Sequence, residues 1–286
     1  LEPSNAGGVN QYSPTEYIGL LKWMLEREKN QLLISQALGQ LQSIYWDLLS
    51  DDQRNNIAPD LERLLFDCMT NLHDDPSIKK TFFNAFSSVT ITNNNLNRLY
   101  SIWSEDKTVS IDKLNLSEND YIGLASNLAI KMPEKADEIV AQQMERIKNP
   151  DSKKRFEFIA PTLSNDQAVR DTFFESLKDE KNRETESWVL GGLNNLHHPL
   201  RRKESLKYIL PSLELLQEIQ QTGDIFFPSR WLGQTLGDHN SREAVEIVDE
   251  FLEDHPNYNA QLKMKIQQSV DMAKRASAIL EKTAKK

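Results

Sequence analysis

The sequence predicts an all-α fold: an α-solenoid of HEAT- or armadillo-like antiparallel helix pairs, curved and with essentially no sheet. Three observations carry this. Apolar residues return at helical spacing along nearly the whole chain, helix-start signals precede many of those stretches, and strand signals are almost missing. Helix pairs of roughly 35–45 residues with short connections match a helical-repeat array. No repeat consensus can be read across the pairs, and an irregular all-α globule is the alternative. A repeat array better accounts for a chain that is only 38% hydrophobic. Each pair then buries its face only against its neighbours, leaving a large wet surface.

In chain order, residues 1–12 read as a lead-in, disordered or foreign to the domain, and 13–286 as a single helical-repeat domain. The chain opens on Leu1 rather than Met and reads as an excised piece of a longer protein. Ser13-Pro14-Thr15-Glu16 combines a capping serine, a proline at the first helical position and a glutamate placed to cap back. Ile34, Leu38, Leu41, Tyr45 and Leu48 then fall on one helix face. Ser50-Asp51-Asp52-Gln53 opens a helix whose face carries Leu61, Leu64, Leu65, Cys68 and Leu72. The lone Cys68 excludes an intrachain disulfide and reads as a small core residue.

Val89–Thr92 and Thr108–Ile111 are short β-like runs without partners and read as loops. The connection from 104 to 116 is a candidate soft hinge. Ser117-Glu118-Asn119-Asp120 and Ser164-Asn165-Asp166-Gln167 are further caps; Tyr121, Leu124 and Leu128 form the next stripe. Pro76, Pro150, Pro199, Pro228 and Pro256 are expected to open helices. Pro211, inside an apolar run, should kink or split the 200–220 segment because it lacks the ladder N–H. Val245, Val248 and Leu252, then Leu262, Ile266, Val270, Ala273 and Leu280, complete the pattern.

The stretch 187–236 concentrates the unusual side chains: Trp188, His197, His198, Arg201, Arg202, Asp224, Phe226, Arg230 and Trp231. It reads as short helices with stop signals at Gly192, His198-Pro199, Gly223 and Pro228. Each residue also has an ordinary reading. Asp224 stands where an N-cap is wanted, Phe226 and Trp231 suit a core, and His197 and His198 suit a turn. Elsewhere catalytic patterns are missing. No histidine begins His-Glu-x-x-His, and there is no Gly-x-Ser-x-Gly elbow or phosphate-cradling glycine loop. Adjacent His197 and His198 diverge by about 100° on a helix, a poor chelate. The net charge of −9 argues against nucleic acid, and no apolar run approaches the roughly 20 residues of a spanning helix.

LHHPLR (196–201) and GDIFFPSRWL (223–232) resemble the C-terminal helical domain of bacterial M1-family zinc aminopeptidases. So do KNPDSKKRFEFIAPTLS upstream and AVEIVDEFLEDHPNY downstream, and the likeness runs from about Tyr12 to about Leu280. The resemblance implies a non-catalytic domain that caps the catalytic cleft and controls peptide access and orientation. No metal or cofactor is expected in this chain. Zinc is expected in an upstream catalytic domain, which would be its partner together with the peptide substrate. Arg201, Arg202 and Arg230 are then candidate carboxylate receptors, with Asp224, Phe226 and Trp231 shaping the wall. Both a cytoplasmic and a cell-envelope location fit. The alternative is a free-standing helical-repeat scaffold that binds a protein or peptide in its concave face.

Overall fold

The computed structural model describes residues 12–106 and 109–284. The fold is all-α, with no strand among the described residues. The chain divides into two compact units, one ending at Val89 and one beginning at Thr90. The candidate hinge at 104–116 lies inside the second. Residues 1–11 of the lead-in, and Lys107 and Thr108, lie outside the described residues.

The first unit holds α1 (Pro14–Leu25), α2 (Gln31–Ser43), α3 (Asp51–Asp67) and α4 (Pro76–Val89). Two of its starts are set by the expected capping boxes, Ser13 with Glu16 and Ser50 with Gln53. In each, the serine oxygen accepts the third backbone N–H while the longer side chain reaches back to the serine N–H. α1 packs on α2 and α3, and both α2 and α3 pack on α4. α2 and α3 each run on into a π turn, Ile44–Leu48 and Cys68–Leu72. A π turn spends more residues per revolution than an α turn, so the expected apolar stripe slips at its end. Leu72, placed on the buried face by its spacing, is 53% exposed. Cys68 is fully buried as expected. Burial, with Glu26 and Asp67 adding to it, pushes its thiol up to about 12, so it is inert as a nucleophile.

The second unit begins with α5 (Asn93–Trp103), α6 (Glu118–Lys131), α7 (Ala136–Arg146), α8 (Pro150–Leu163), α9 (Gln167–Ser176) and α10 (Glu186–Leu196). The 200–220 segment is broken into α11 (Arg202–Ser205), α12 (Ile209–Glu214) and α13 (Leu216–Thr222), as Pro211 implied. α14 (Phe227–Leu236), α15 (Arg242–Asp254) and α16 (Ala260–Ala284) follow. Within this unit α6, α8, α10, α14 and α16 form one row, each packed on the next, and α7, α9, α12 and α15 pack against that row. Arg146 secures the start of the 104–116 connection: its guanidinium donates to the Trp103 carbonyl at 2.6 Å and to the Glu105 carboxylate at 2.7 Å.

Four local expectations need correction. Asp166, not Ser164, caps α9, because its carboxylate accepts the Ala168 N–H at 2.9 Å; Ser164 instead terminates α8. Pro256 opens a turn, and α16 starts only after Asn259, whose side chain accepts the Gln261 and Leu262 N–H groups. On α15 the buried face is Ala244, Val248 and Phe251, with Val245 and Leu252 at its margins. Gly192 does not stop a helix. It lies inside α10, where an added Cβ would come within 2.5 Å of the Phe173 ring.

That close approach makes adjacent glycines respond oppositely. A Cβ at Gly191 meets nothing nearer than Ile159 Cγ2 at 3.8 Å. Gly191→Ala should therefore raise stability by up to about 1 kcal/mol, the helix-propensity gain. Gly192→Ala should lower it by about 1–3 kcal/mol, because the buried Phe173 ring must move. Urea denaturation of the two variants checks this, and equal signs would refute the packing account.

Candidate functional site

The side chains singled out in 187–236 separate into three groups. The first is a buried joint at the end of α10. The helix stops at Leu196; His198 leaves helical geometry, and its Nδ1 accepts the Leu200 N–H at 3.2 Å, capping the 3-10 turn Pro199–Arg201. His197 is fully buried, and its Nδ1 faces His239 Nε2 at 3.0 Å. The outer nitrogens, His197 Nε2 and His239 Nδ1, have no hydrogen-bond partner among the described residues. Burial lowers both rings' proton affinity, His197 well below the ordinary value with His239 contributing, and His239 to about 4 with Arg202 contributing.

Arg201 in this joint serves the backbone. Its Nη1 donates to the Thr162 carbonyl at 2.6 Å and the Asn195 carbonyl at 3.5 Å, and its Nη2 to the Leu163 and Ser164 carbonyls at 3.3 Å each. These include the last carbonyls of α8, which lack intrahelical partners. Arg202 Nε donates to the Asp238 carbonyl. Two of the three arginines expected to be carboxylate receptors, Arg201 and Arg202, are thus buried and bonded to main chain.

The second group is the tip between α13 and α14. The Asp224 N–H donates to Glu186 Oε1 at 2.6 Å, while Asp224 Oδ1 accepts the Phe226 N–H at 2.8 Å. Asp224 therefore makes a local turn two residues before Phe226, which holds the N-cap position expected for Asp224, and Pro228 stands in the first turn of α14. Phe226 and the adjacent Ile225 are exposed. The Arg230 guanidinium lies 5.7 Å from the Phe226 ring centre. Trp231 is instead fully buried, its indole N–H donating to the Ser212 carbonyl at 3.2 Å.

The third group is a groove of about 330 Å³ between α6, α8 and α10, at the small end of the usual range for ligand pockets. Of the residues singled out in the sequence, Trp188 and His198 line it. Its remaining polar lining includes Asn127 from α6, Arg155 from α8, and Asn194 and Asn195 from α10. Its space comes from Gly123 and Gly191, since a Cβ at Gly123 would meet nothing within 4 Å. Sequence reading missed these residues, yet one signal was present: Gly123 and Asn127 on α6 share the four-residue spacing of Gly191 and Asn195 on α10. That spacing places glycine and amide one turn apart on one face.

The groove offers amide donors and acceptors, an indole and a guanidinium, a set suited to holding an extended polar chain. Asn195 is held for this by its Nδ2, which donates to Thr162 Oγ1 at 2.9 Å. Among the described residues no group of three His, Cys, Asp or Glu side chains could hold a metal ion. The His197–His239 pair does not fit one, since its facing nitrogens are engaged with each other. Among the described residues, too, no helix is long and apolar enough to cross a membrane. No protein-family model matches the chain, and no curated protein matches it.

Proposed function

We propose that this chain is a non-catalytic helical domain of a zinc aminopeptidase, which borders the catalytic cleft and orients peptide, and that its working surface is the groove between α6, α8 and α10. The observation that carries the reading is the groove's chemistry. An extended peptide leaves its backbone N–H and C=O groups unpaired, and side-chain amides supply both partners. Three asparagines, Asn127 on α6 and Asn194 and Asn195 on α10, with Trp188 also on α10, meet that need. The ordered likeness of segments such as LHHPLR and GDIFFPSRWL to the aminopeptidase domain supplies the rest. Zinc and its activated water would belong to an upstream domain. This chain's part would be to shut out bulk water and folded protein and to raise effective concentration by positioning.

The same groove favours a second reading, a free-standing scaffold for a peptide partner. The coding sequence upstream of Leu1 separates the two. A His-Glu-x-x-His helix there is expected for the aminopeptidase, and its absence would select the scaffold. The purified chain should bind no stoichiometric zinc and should not hydrolyse aminoacyl anilides. Turnover by the chain alone would overturn the assignment of the chemistry to another domain.

A further inference from the structure

We propose that the groove between α6, α8 and α10 is a carboxylate-reading subsite in which Arg155 binds an anionic group carried by the peptide. The inference rests on the reading of the groove as a peptide site and adds the chemistry it selects. The chain carries 43 acidic residues against 34 basic ones, so a groove lined at random would include acids. None lines this one among the described residues. Arg155 stands on the exposed side of α8 with no ion-pair partner among the described residues, although most of the protein's other arginines hold carboxylates or carbonyls.

Further cations act at the edge of the groove. His198 lines it, and its ring feels Lys131, Arg201 and Arg202, all buried cations. Arg201 and Arg202 are fixed by backbone carbonyls and cannot move to grip a ligand. They contribute standing positive potential, while Arg155 is the cation able to make a bidentate contact. The asparagines would pair the peptide backbone beside that carboxylate, and Trp188 would cover its apolar atoms.

Calorimetric titration of the chain with three short acetylated polyalanine peptides tests this. One is amidated and carries no carboxylate, one has a free C-terminus, and one is amidated with a single internal glutamate. At least one carboxylate-bearing peptide should bind about ten-fold more tightly than the neutral one, as a charge-assisted contact predicts. The peptide that does so identifies the carboxylate as terminal or side-chain. Arg155→Gln should erase that preference and leave the neutral peptide's affinity unchanged; Arg155→Lys should restore part of it. Gly123→Leu, which adds bulk where a Cβ would meet nothing within 4 Å, should abolish binding of all three. Equal affinity for all three peptides would overturn the carboxylate subsite and leave the peptide groove standing. Binding of none, or binding unaffected by Gly123→Leu, would overturn both.

Discussion

Acidification should destabilise this protein through two buried histidines, His197 and His239. The unfolded chain takes up a proton on each of His197 and His239 as pH falls through about 6.5. In the folded state neither ring accepts one there, since both are buried and His239 holds out to about 4. The unfolded state therefore binds more protons across that window, and stability falls as pH falls. The loss begins near the unfolded value and levels off only once the folded rings titrate. For His239 the interval amounts to about 3 kcal/mol, with His197 acting in the same direction. A drop in Tm of roughly 10 °C is expected from His239 alone. The joint gives the physical reason. The two rings face at 3.0 Å, their outer nitrogens have no hydrogen-bond partner among the described residues, and a proton on His239 places a charge beside Arg202. Carboxylates also titrate at the acid end, so the comparison is with His239→Gln, whose stability should vary less across the same window. Identical pH profiles for the two proteins would refute the account.

Arg201→Ala should be the most damaging single truncation among the residues noted in the sequence, at about 4 kcal/mol. It strands the Thr162, Leu163 and Asn195 carbonyls in a buried environment, leaves the Ser164 carbonyl to Arg170 alone, and leaves a cavity behind. Arg201→Lys should recover less than half, since a point ammonium cannot reproduce a planar fork reaching several carbonyls. Arg230→Ala, on the exposed tip, should cost at most about 1 kcal/mol. Denaturant midpoints with unchanged m-values would measure all three. A loss of under about 1 kcal/mol for Arg201→Ala would show that α8 does not depend on this cap.

What could be read in advance divides by the range of the interaction. The capping boxes at Ser13 and Ser50, and the Ser117–Asp120 box, were legible because donor and acceptor lie three residues apart. The all-α class followed from the same short range. Leu72 was misplaced because periodic reading assumes a uniform 3.6-residue turn, and a π turn breaks that assumption without an obvious local signal. The site was harder still. Arg201 looked available for a ligand because its carbonyl partners at 162–164 sit nearly forty residues away in sequence. Trp231 looked like a wall residue for the same reason, its partner Ser212 belonging to another helix. Arg155 belongs to the run Lys153-Lys154-Arg155, which reads as solvated helix-end charge, because nothing local shows which residues of other helices face it.

Gly123 and Gly191 have a consequence for how such a surface is found by mutation. Scans that replace each residue by alanine look for importance in what is taken away, and at these two positions there is no side chain to remove. Alanine there would register as neutral or beneficial in any assay of folding. A surface whose key feature is vacancy declares itself only when bulk is introduced, so scanning by enlargement, with leucine or tryptophan in place of alanine, is the informative experiment for this face of the protein.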